Sequence, residues 1–145
     1  HLREGHSIQL DIKKYITKLK QSTKMAEKLG KTSSREINHR FQRRLEKLGI
    51  KGEVDPQRLA QEVLLQLDKM DISEEILRLQ EHLKIMNQLL GRQGVMGKKL
   101  DFYTQELFRE FNTVGSKTQL AKLTHIVVES KAIVERIREQ VQNIQ

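Results

Sequence analysis

Apolar residues recur along the chain at helical spacing, and this pattern predicts most of the secondary structure. Within residues 8–26 they step alternately by four and three positions, as one face of an amphipathic helix does. This first seam consists of Ile8, Ile12, Tyr15, Leu19, Ser22 and Ala26. Gly30 is then expected to end the helix, and the polar residues 32–34 to cap a second one. The second helix would turn inward Ile37, Phe41, Leu45 and Leu48.

The segment GIKGEVDP at 49–56 is the clearest break, and further helices follow it. Asp55 and Pro56 suit the N-cap and the first position of a helix, whose apolar residues are Leu59, Val63, Leu67 and Met70. The segment DISE at 71–74 has the form of a capping box, so either a new helix starts there or a long one bends. Beyond it the same alternating step returns at Ile72, Ile76, Leu79, Leu83, Met86 and Leu90.

Two more helices are expected after a glycine-rich loop at 91–97. The first covers 98–111 and stops in FREFNTVGSK (108–117), where Asn112, Thr113, Gly115 and Ser116 suit a turn. The last covers about 118–144 and would be about 40 Å long. Apolar stripes this long in a chain of 145 residues predict an all-α fold of about five helices, arranged as long antiparallel hairpins or as a bundle. We expect the apolar stripes to be covered in part by other subunits in an oligomer.

Composition narrows the class of protein. With 37% hydrophobic and 4% aromatic residues, the chain suits helices with narrow apolar seams better than a β-sandwich. The absence of cysteine excludes a disulfide framework, a thiolate metal site and a cysteine nucleophile. No apolar run approaches the ~18–20 residues that cross a bilayer. We therefore expect a cytoplasmic protein without a membrane partner.

Positive charge is concentrated in the first third of the chain. Residues 1–52 hold 14 lysines and arginines against 5 acidic residues, whereas residues 53–145 hold 13 against 14. A basic block of this kind attracts phosphate backbones by releasing counterions. The alternative is a solvated, lysine-rich helical face. Charge alone leaves both interpretations open.

Two charged segments carry the candidate chemistry. Glu106 and Glu110 lie one turn apart, so both carboxylates can share a face and hold a divalent cation, and Arg109 could reach a phosphate. In DISEEILRLQEH (71–82), His82 follows Arg78 at helical spacing and could exchange protons or bind a transition metal. The alternative for both segments is a ladder of exposed ion pairs. NTVGSKT lacks the glycine spacing of a phosphate-binding loop, and no zinc or serine-nucleophile motif occurs.

Taken together, these segments resemble a known family. DISEEILRLQEH, GKKLDFYTQELFREFNTVGSK (97–117) and the final REQVQNIQ are similar to the C-terminal region of the YicC-like proteins, which are bacterial stress-associated endoribonucleases. The resemblance extends from REG at 3–5 to the end and is closest over 71–117. It implies that residues 1–145 form a single helical domain of a longer protein whose N-terminal domain is absent. It also implies RNA as substrate, assistance by Mn²⁺ or Mg²⁺, and a ring-like homohexamer.

The resemblance assigns roles to the matching polar positions. We expect the metal ligands to be Asp101, Glu106 and Glu110. We expect catalysis to involve Glu75, His82, Glu106, Arg109 and Glu110. We expect RNA contacts from Arg78, Lys98, Lys99, Asn112 and Lys117. The cation would neutralise charge on the scissile phosphate and activate a water, with His82 as general acid or base. The basic helices 8–48 would hold the RNA backbone without reading sequence, because few aromatics are available for stacking.

Two other interpretations compete with this hypothesis. The charged motifs could instead form a buried network that fixes helix packing or a subunit interface, with the nuclease site elsewhere. The protein could also be an RNA-binding adaptor without catalysis. The first question for the structure is whether residues 71–82 and 101–117 converge in one solvent-reachable cleft.

Overall fold

The computed structural model describes the backbone of residues 2–52, 55–92 and 97–144, and the side chains within these ranges except residues 2–4, 50, 51 and 144. The described residues form the helices α1 (Leu2–Lys51), α2 (Pro56–Met70), α3 (Ser73–Leu90), α4 (Gly97–Lys117) and α5 (Ala121–Ile144). None of them lies in a strand, so the predicted all-α fold is confirmed. No helix in these ranges has both the length and the hydropathy to cross a lipid bilayer.

Four of the helices enclose the core. Each of α1, α3, α4 and α5 packs on two of the others, in the cyclic order α1–α3–α4–α5, which is a four-helix bundle. The predicted seams supply most of its interior. The buried apolar side chains include Ile12, Leu19 and Ala26 of α1, Ile76, Leu79, Leu83 and Met86 of α3, Leu107, Phe111 and Val114 of α4, and Val127, Val134, Ile137 and Val141 of α5.

The second half of α1 and all of α2 lie outside this core. They pack on each other, but no residue of α2 is buried. The side chains of Ile37, Phe41, Leu45 and Leu48, predicted to turn inward, are only half-buried. Leu64 and Leu65 of α2 are 62% and 61% exposed. This helical pair therefore contributes little to the bundle interior.

The predicted break at Gly30 is wrong, because α1 continues through Gly30 and residues 32–34 without interruption. The hydroxyl of Thr32 donates to the Lys28 carbonyl at 3.0 Å, inside the helix, rather than capping a new one. A Cβ atom placed on Gly30 would lie 3.1 Å from Cδ1 of Ile72. The glycine thus permits close packing of α1 against the α2–α3 junction.

The predicted turn at 112–116 is also wrong, since α4 runs on to Lys117. Its small polar residues satisfy their hydroxyls within the helix: Thr113 donates to the Arg109 carbonyl at 3.1 Å, and Ser116 to the Thr113 carbonyl at 2.9 Å. A Cβ atom on Gly115 would lie 3.2 Å from Cγ1 of Val127. Close contact between α4 and α5 explains the glycine.

The segment at 71–74 starts a new helix rather than bending a long one. Oδ1 of Asp71 accepts a hydrogen bond from the backbone N–H of Ser73 at 2.9 Å. The N–H of Asp71 donates to the Asp68 carbonyl, and Ile72 rather than Asp71 is the N-cap residue of α3, so the predicted capping box with Asp71 and Glu74 does not form. The bond from Ser73 lowers the pKa of the Asp71 carboxyl below its ordinary value.

We expect Asp71→Ala to cost about 1 kcal/mol of unfolding free energy at pH 7, because it removes the acceptor of the Ser73 N–H at the start of α3. Because the pKa of Asp71 is lower in the folded state, its charged carboxylate stabilises the fold fully above about pH 4 and loses this effect as pH falls through the folded pKa. Urea unfolding at pH 7 and pH 3 should show the difference between wild type and variant shrinking in acid. Asp71→Asn, which keeps an acceptor oxygen, is the control. A difference that is the same at both pH values would contradict this account.

Candidate functional site

Helices α3 and α4 face each other and bring the two charged segments together. Nε of Arg78 in α3 donates to Oε1 of Glu110 in α4 at 2.8 Å. Nζ of Lys117 donates to Oε1 of Glu75 at 2.6 Å. Residues 71–82 and 101–117 therefore meet at one surface of the bundle. We call the side chains that meet there the α3–α4 polar cluster: Glu74, Glu75, Arg78, His82, Glu106, Glu110 and Lys117.

Arg78 links three carboxylates of this cluster. Besides Glu110, it approaches Glu74 with Nη1 at 3.6 Å and Glu75 with Nη2 at 3.8 Å. The hydrogen bond to Glu110 raises the pKa of the Arg78 guanidinium above its ordinary value. The side chain of Arg78 is 44% exposed, whereas those of Glu75 and Glu110 are 3% and 6% exposed. Arg78 thus compensates two buried carboxylates from the solvent side.

Lys117 joins the end of α4 to the start of α3. Its ammonium group donates to Glu75 and, at 3.0 Å, to the backbone carbonyl of Asp71. Lys117 is the last residue of α4, so this position depends on the helix continuing through residues 112–116. The residues that resembled a turn therefore extend the helix that carries Lys117 to its carboxylate.

Three side chains of the cluster could together hold a metal ion. One ligand atom each from His82, Glu106 and Glu110 lies within 4.8 Å of the others. Oε2 of Glu110 and both ring nitrogens of His82 are buried without a hydrogen-bond partner among the described residues. Buried polar atoms ordinarily have such partners. A divalent cation fits these atoms, since carboxylate and imidazole are both metal ligands.

The balance of charge also favours a cation. The cluster contains four glutamates and two permanently charged cations, which leaves a formal excess of two negative charges with His82 neutral. Oε2 of Glu75 is a further buried acceptor without a partner in the described part of the chain. The buried carboxylates of Glu75 and Glu110 are each paired with a cation, and the side chain of Glu74 is 82% exposed, so the excess charge gives a bound divalent ion only a modest electrostatic advantage.

The remaining predicted residues are not members of this three-ligand set. Asp101 is half-buried and accepts a 3.3 Å hydrogen bond from Gln105 of its own helix. The structure does not bring it into the converging set. Arg109, Asn112, Lys98 and Lys99 are exposed on α4. Their roles in catalysis and in RNA contact stay predictions.

Sequence reasoning missed the aromatic neighbours of the cluster. The ring of Tyr103 lies 5.5 Å from that of His82, and the ring of Phe102 lies 5.2 Å from that of Tyr103. The available signal was helical spacing, because Tyr103 precedes Glu106 by three positions and so shares its face.

Comparison with known proteins identifies the family. The family model described as endoribonuclease YicC-like, C-terminal, matches residues 25–145. The chain belongs to this family. The α3–α4 polar cluster accordingly lies within the YicC-like C-terminal region, and the resemblance noted in the sequence is confirmed.

Two curated YicC relatives show how far the similarity extends, and both are named probable endoribonuclease YicC. The relative from Clostridioides difficile (strain 630) is 36% identical over 143 residues, which cover 98% of this chain and 49% of that protein. The relative from Haemophilus influenzae (strain ATCC 51907 / DSM 11121 / KW20 / Rd) is 46% identical over 92 residues, covering 63% of this chain and 32% of that protein. The chain thus spans about half of the first relative and less of the second.

Proposed function

We propose that the α3–α4 polar cluster is a metal-assisted site for cleaving RNA phosphodiester bonds, with His82, Glu106 and Glu110 holding the cation. The observation that carries this proposal is the convergence of three ligand atoms within 4.8 Å, together with the atoms of His82 and Glu110 that have no hydrogen-bond partner among the residues described. RNA is the substrate class that the relatives' name, probable endoribonuclease YicC, supports.

The donor set favours Mn²⁺ over Mg²⁺. Mg²⁺ prefers oxygen ligands in a near-ideal octahedron, and imidazole nitrogen suits transition metals better. The set contains one imidazole and two carboxylates, which Mn²⁺ accepts. Bound there, the ion would supply charge neutralisation at a scissile phosphate and a more acidic water.

Under this proposal the ion pairs position the site. Because Arg78 holds Oε1 of Glu110 at 2.8 Å, the carboxylate is fixed with its Oε2 left without a partner in the described part of the structure. Lys117 holds Glu75 in the same way. Outer partners of this kind orient metal ligands and are ordinarily worth ~10–100-fold in metal affinity. Arg78 and Lys117 thus act on the site through carboxylates, whereas the exposed Arg109 is free to approach a phosphate.

The test is metal-dependent cleavage by the purified protein. We expect labelled single-stranded RNA to be cut with Mn²⁺ and to stay intact with EDTA. Electron paramagnetic resonance of Mn²⁺ should show binding that His82→Ala weakens by at least about tenfold. His125→Ala is the matched control, because His125 is an exposed histidine of α5 paired with Glu129 at 3.0 Å. Cleavage that persists in EDTA, or equal Mn²⁺ affinity in both variants, would refute the proposal.

A structural role is the second candidate. Its support is that buried Glu75 and Glu110 are each paired across the α3–α4 interface, as expected of groups that fix helix packing. Helix α2 contains no buried residue, and its Leu64 and Leu65 are exposed. Under this candidate, a second copy of the chain would pack on this apolar surface. RNA binding without Mn²⁺-dependent cleavage would favour this candidate over the first.

A further inference from the structure

An open hollow lies beside the α3–α4 polar cluster, between the end of α3 and the first turns of α4. Its volume is about 440 Å³, within the ~300–1,000 Å³ of small-ligand sites. Three cations line it, namely Arg92, Lys98 and Lys99, together with the rings of Phe102 and Tyr103. The described lining contains no acidic residue. The hollow therefore combines positive charge with aromatic surface.

Phe102 offers a ring to a ligand. It is 55% exposed, although a single exposed aromatic is ordinary on a protein surface. Its ring is inclined at 80° to that of Tyr103, so the two are not stacked face to face. A second planar group can lie on the exposed part of Phe102. Aromatic rings bordered by cations are the usual means of holding single-stranded nucleic acid.

One residue of the hollow's lining, Tyr103, also neighbours the candidate metal centre. The ring centroid of Tyr103 lies 5.2 Å from that of Phe102 and 5.5 Å from that of His82. A chain that runs from the hollow across Tyr103 reaches His82 and the adjacent glutamates. A ligand in the hollow would thus lie next to the bond that the proposed site cleaves.

We propose that this hollow is a subsite for an unpaired nucleotide of single-stranded RNA, with its base on Phe102 and its phosphates on Arg92, Lys98 and Lys99. The inference rests on the proposed function in taking RNA as the substrate. The base must be unpaired, because the faces of a base within a duplex are already stacked. The subsite would favour single strands over duplexes and would tolerate any base, since every base has a π-face.

The test measures RNA binding in EDTA, where no cleavage occurs. We expect Phe102→Ala to raise the Kd for a fluorescein-labelled, unstructured single-stranded RNA by about tenfold in fluorescence anisotropy. Phe102→Trp should keep the wild-type Kd. Phe102→Leu, which retains apolar bulk without a ring, should bind as weakly as Phe102→Ala. The Kd for a duplex of the same sequence should not change.

Two further variants separate the contributions of charge and ring. Replacing Lys98 and Lys99 by Gln should lower the slope of log Kd against log salt by about 1.4, at ~0.7 for each phosphate contact on a single strand. Val128→Ala is the matched control, because Val128 is an apolar residue of α5 that is 62% exposed. It should leave every Kd unchanged.

Three results would overturn the subsite: an unchanged Kd in Phe102→Ala, wild-type affinity in Phe102→Leu, or a change in assembly mass by light scattering with RNA affinity intact. The last result would identify a protein-binding surface instead. These outcomes are independent of the metal centre. If Phe102→Ala weakens RNA binding and Mn²⁺ never supports cleavage, the proposed function fails and the subsite stands.

Discussion

Glu110→Gln is expected to lower Mn²⁺-dependent RNA cleavage by at least ~10²-fold. Loss of an outer partner of a metal ligand costs up to ~100-fold in metal affinity or activity, and loss of a direct ligand, as Glu110 is proposed to be, should cost at least as much. The carboxylate is 6% exposed and has Oε1 bound by Arg78, while its Oε2 is unpartnered among the described residues. Glutamine keeps the shape of the side chain and an oxygen for Arg78. It removes the negative charge that makes the group a strong ligand for a divalent cation.

The variant should remain folded, which makes the loss of cleavage interpretable. Arg78 loses a charged partner, but it is 44% exposed and keeps Glu74 and Glu75 nearby, so solvent limits the cost in stability to about 1 kcal/mol or less. Initial cleavage rates at saturating Mn²⁺ and thermal unfolding should be measured on the same preparations. Glu129→Gln, at an exposed carboxylate of α5, is the control. Full turnover in Glu110→Gln would remove Glu110 from the site, and a loss that follows unfolding would support the structural candidate.

The long apolar stripes of the helices were predictable, because the spacing of apolar residues along the sequence shows directly which face of a helix is apolar. Ile76, Leu79, Leu83 and Met86 step by three and four, and all are buried in α3. The same holds for α5, where Val134, Ile137 and Val141 are buried. In such segments, periodicity carries the information that packing uses.

Helix ends were less predictable because small residues serve two purposes. Gly30 and Gly115 each indicated an ending, and each lies inside a helix where a neighbour from a distant part of the chain approaches closely. Local propensity does not distinguish a turn from a tight contact. Whether Gly30 and Gly115 end a helix or allow a close contact depends on where Ile72 and Val127 lie in the fold.

The site was predictable in part for the same reason. Spacing along α4 places Glu106 and Glu110 on one face, but it does not reveal which helix that face meets. The family resemblance led to the hypothesis that the two charged segments form one site, and the structure shows the ion pairs that connect them. Arg78 and Lys117 were predicted to contact RNA, and they pair with carboxylates. The low aromatic content of the whole chain concealed the local pair at 102–103.

Lys117→Met is expected to lower the free energy of unfolding by about 2–3 kcal/mol. The carboxylate of Glu75 is 3% exposed and receives the Lys117 ammonium at 2.6 Å. Without Lys117, the nearest described cation is Arg78 at 3.8 Å. Removing one member of a buried pair costs about 3–5 kcal/mol, and the 31% exposure of Lys117 reduces that value because solvent already screens the pair. Urea unfolding measures the change.

A double-variant cycle identifies the cause of this loss. If Lys117 stabilises the fold by compensating a buried charge, Glu75→Gln combined with Lys117→Met should be more stable than Lys117→Met alone, since the double variant buries no unpaired carboxylate. Lys122→Met, at an exposed lysine of α5, should change stability by less than about 0.5 kcal/mol. Strictly additive losses would mean that Lys117 acts through its alkyl chain or through the Asp71 carbonyl. Cleavage retained by Lys117→Met below its unfolding temperature would mark Lys117 as a structural partner of Glu75 that neither contacts RNA nor supports the metal site.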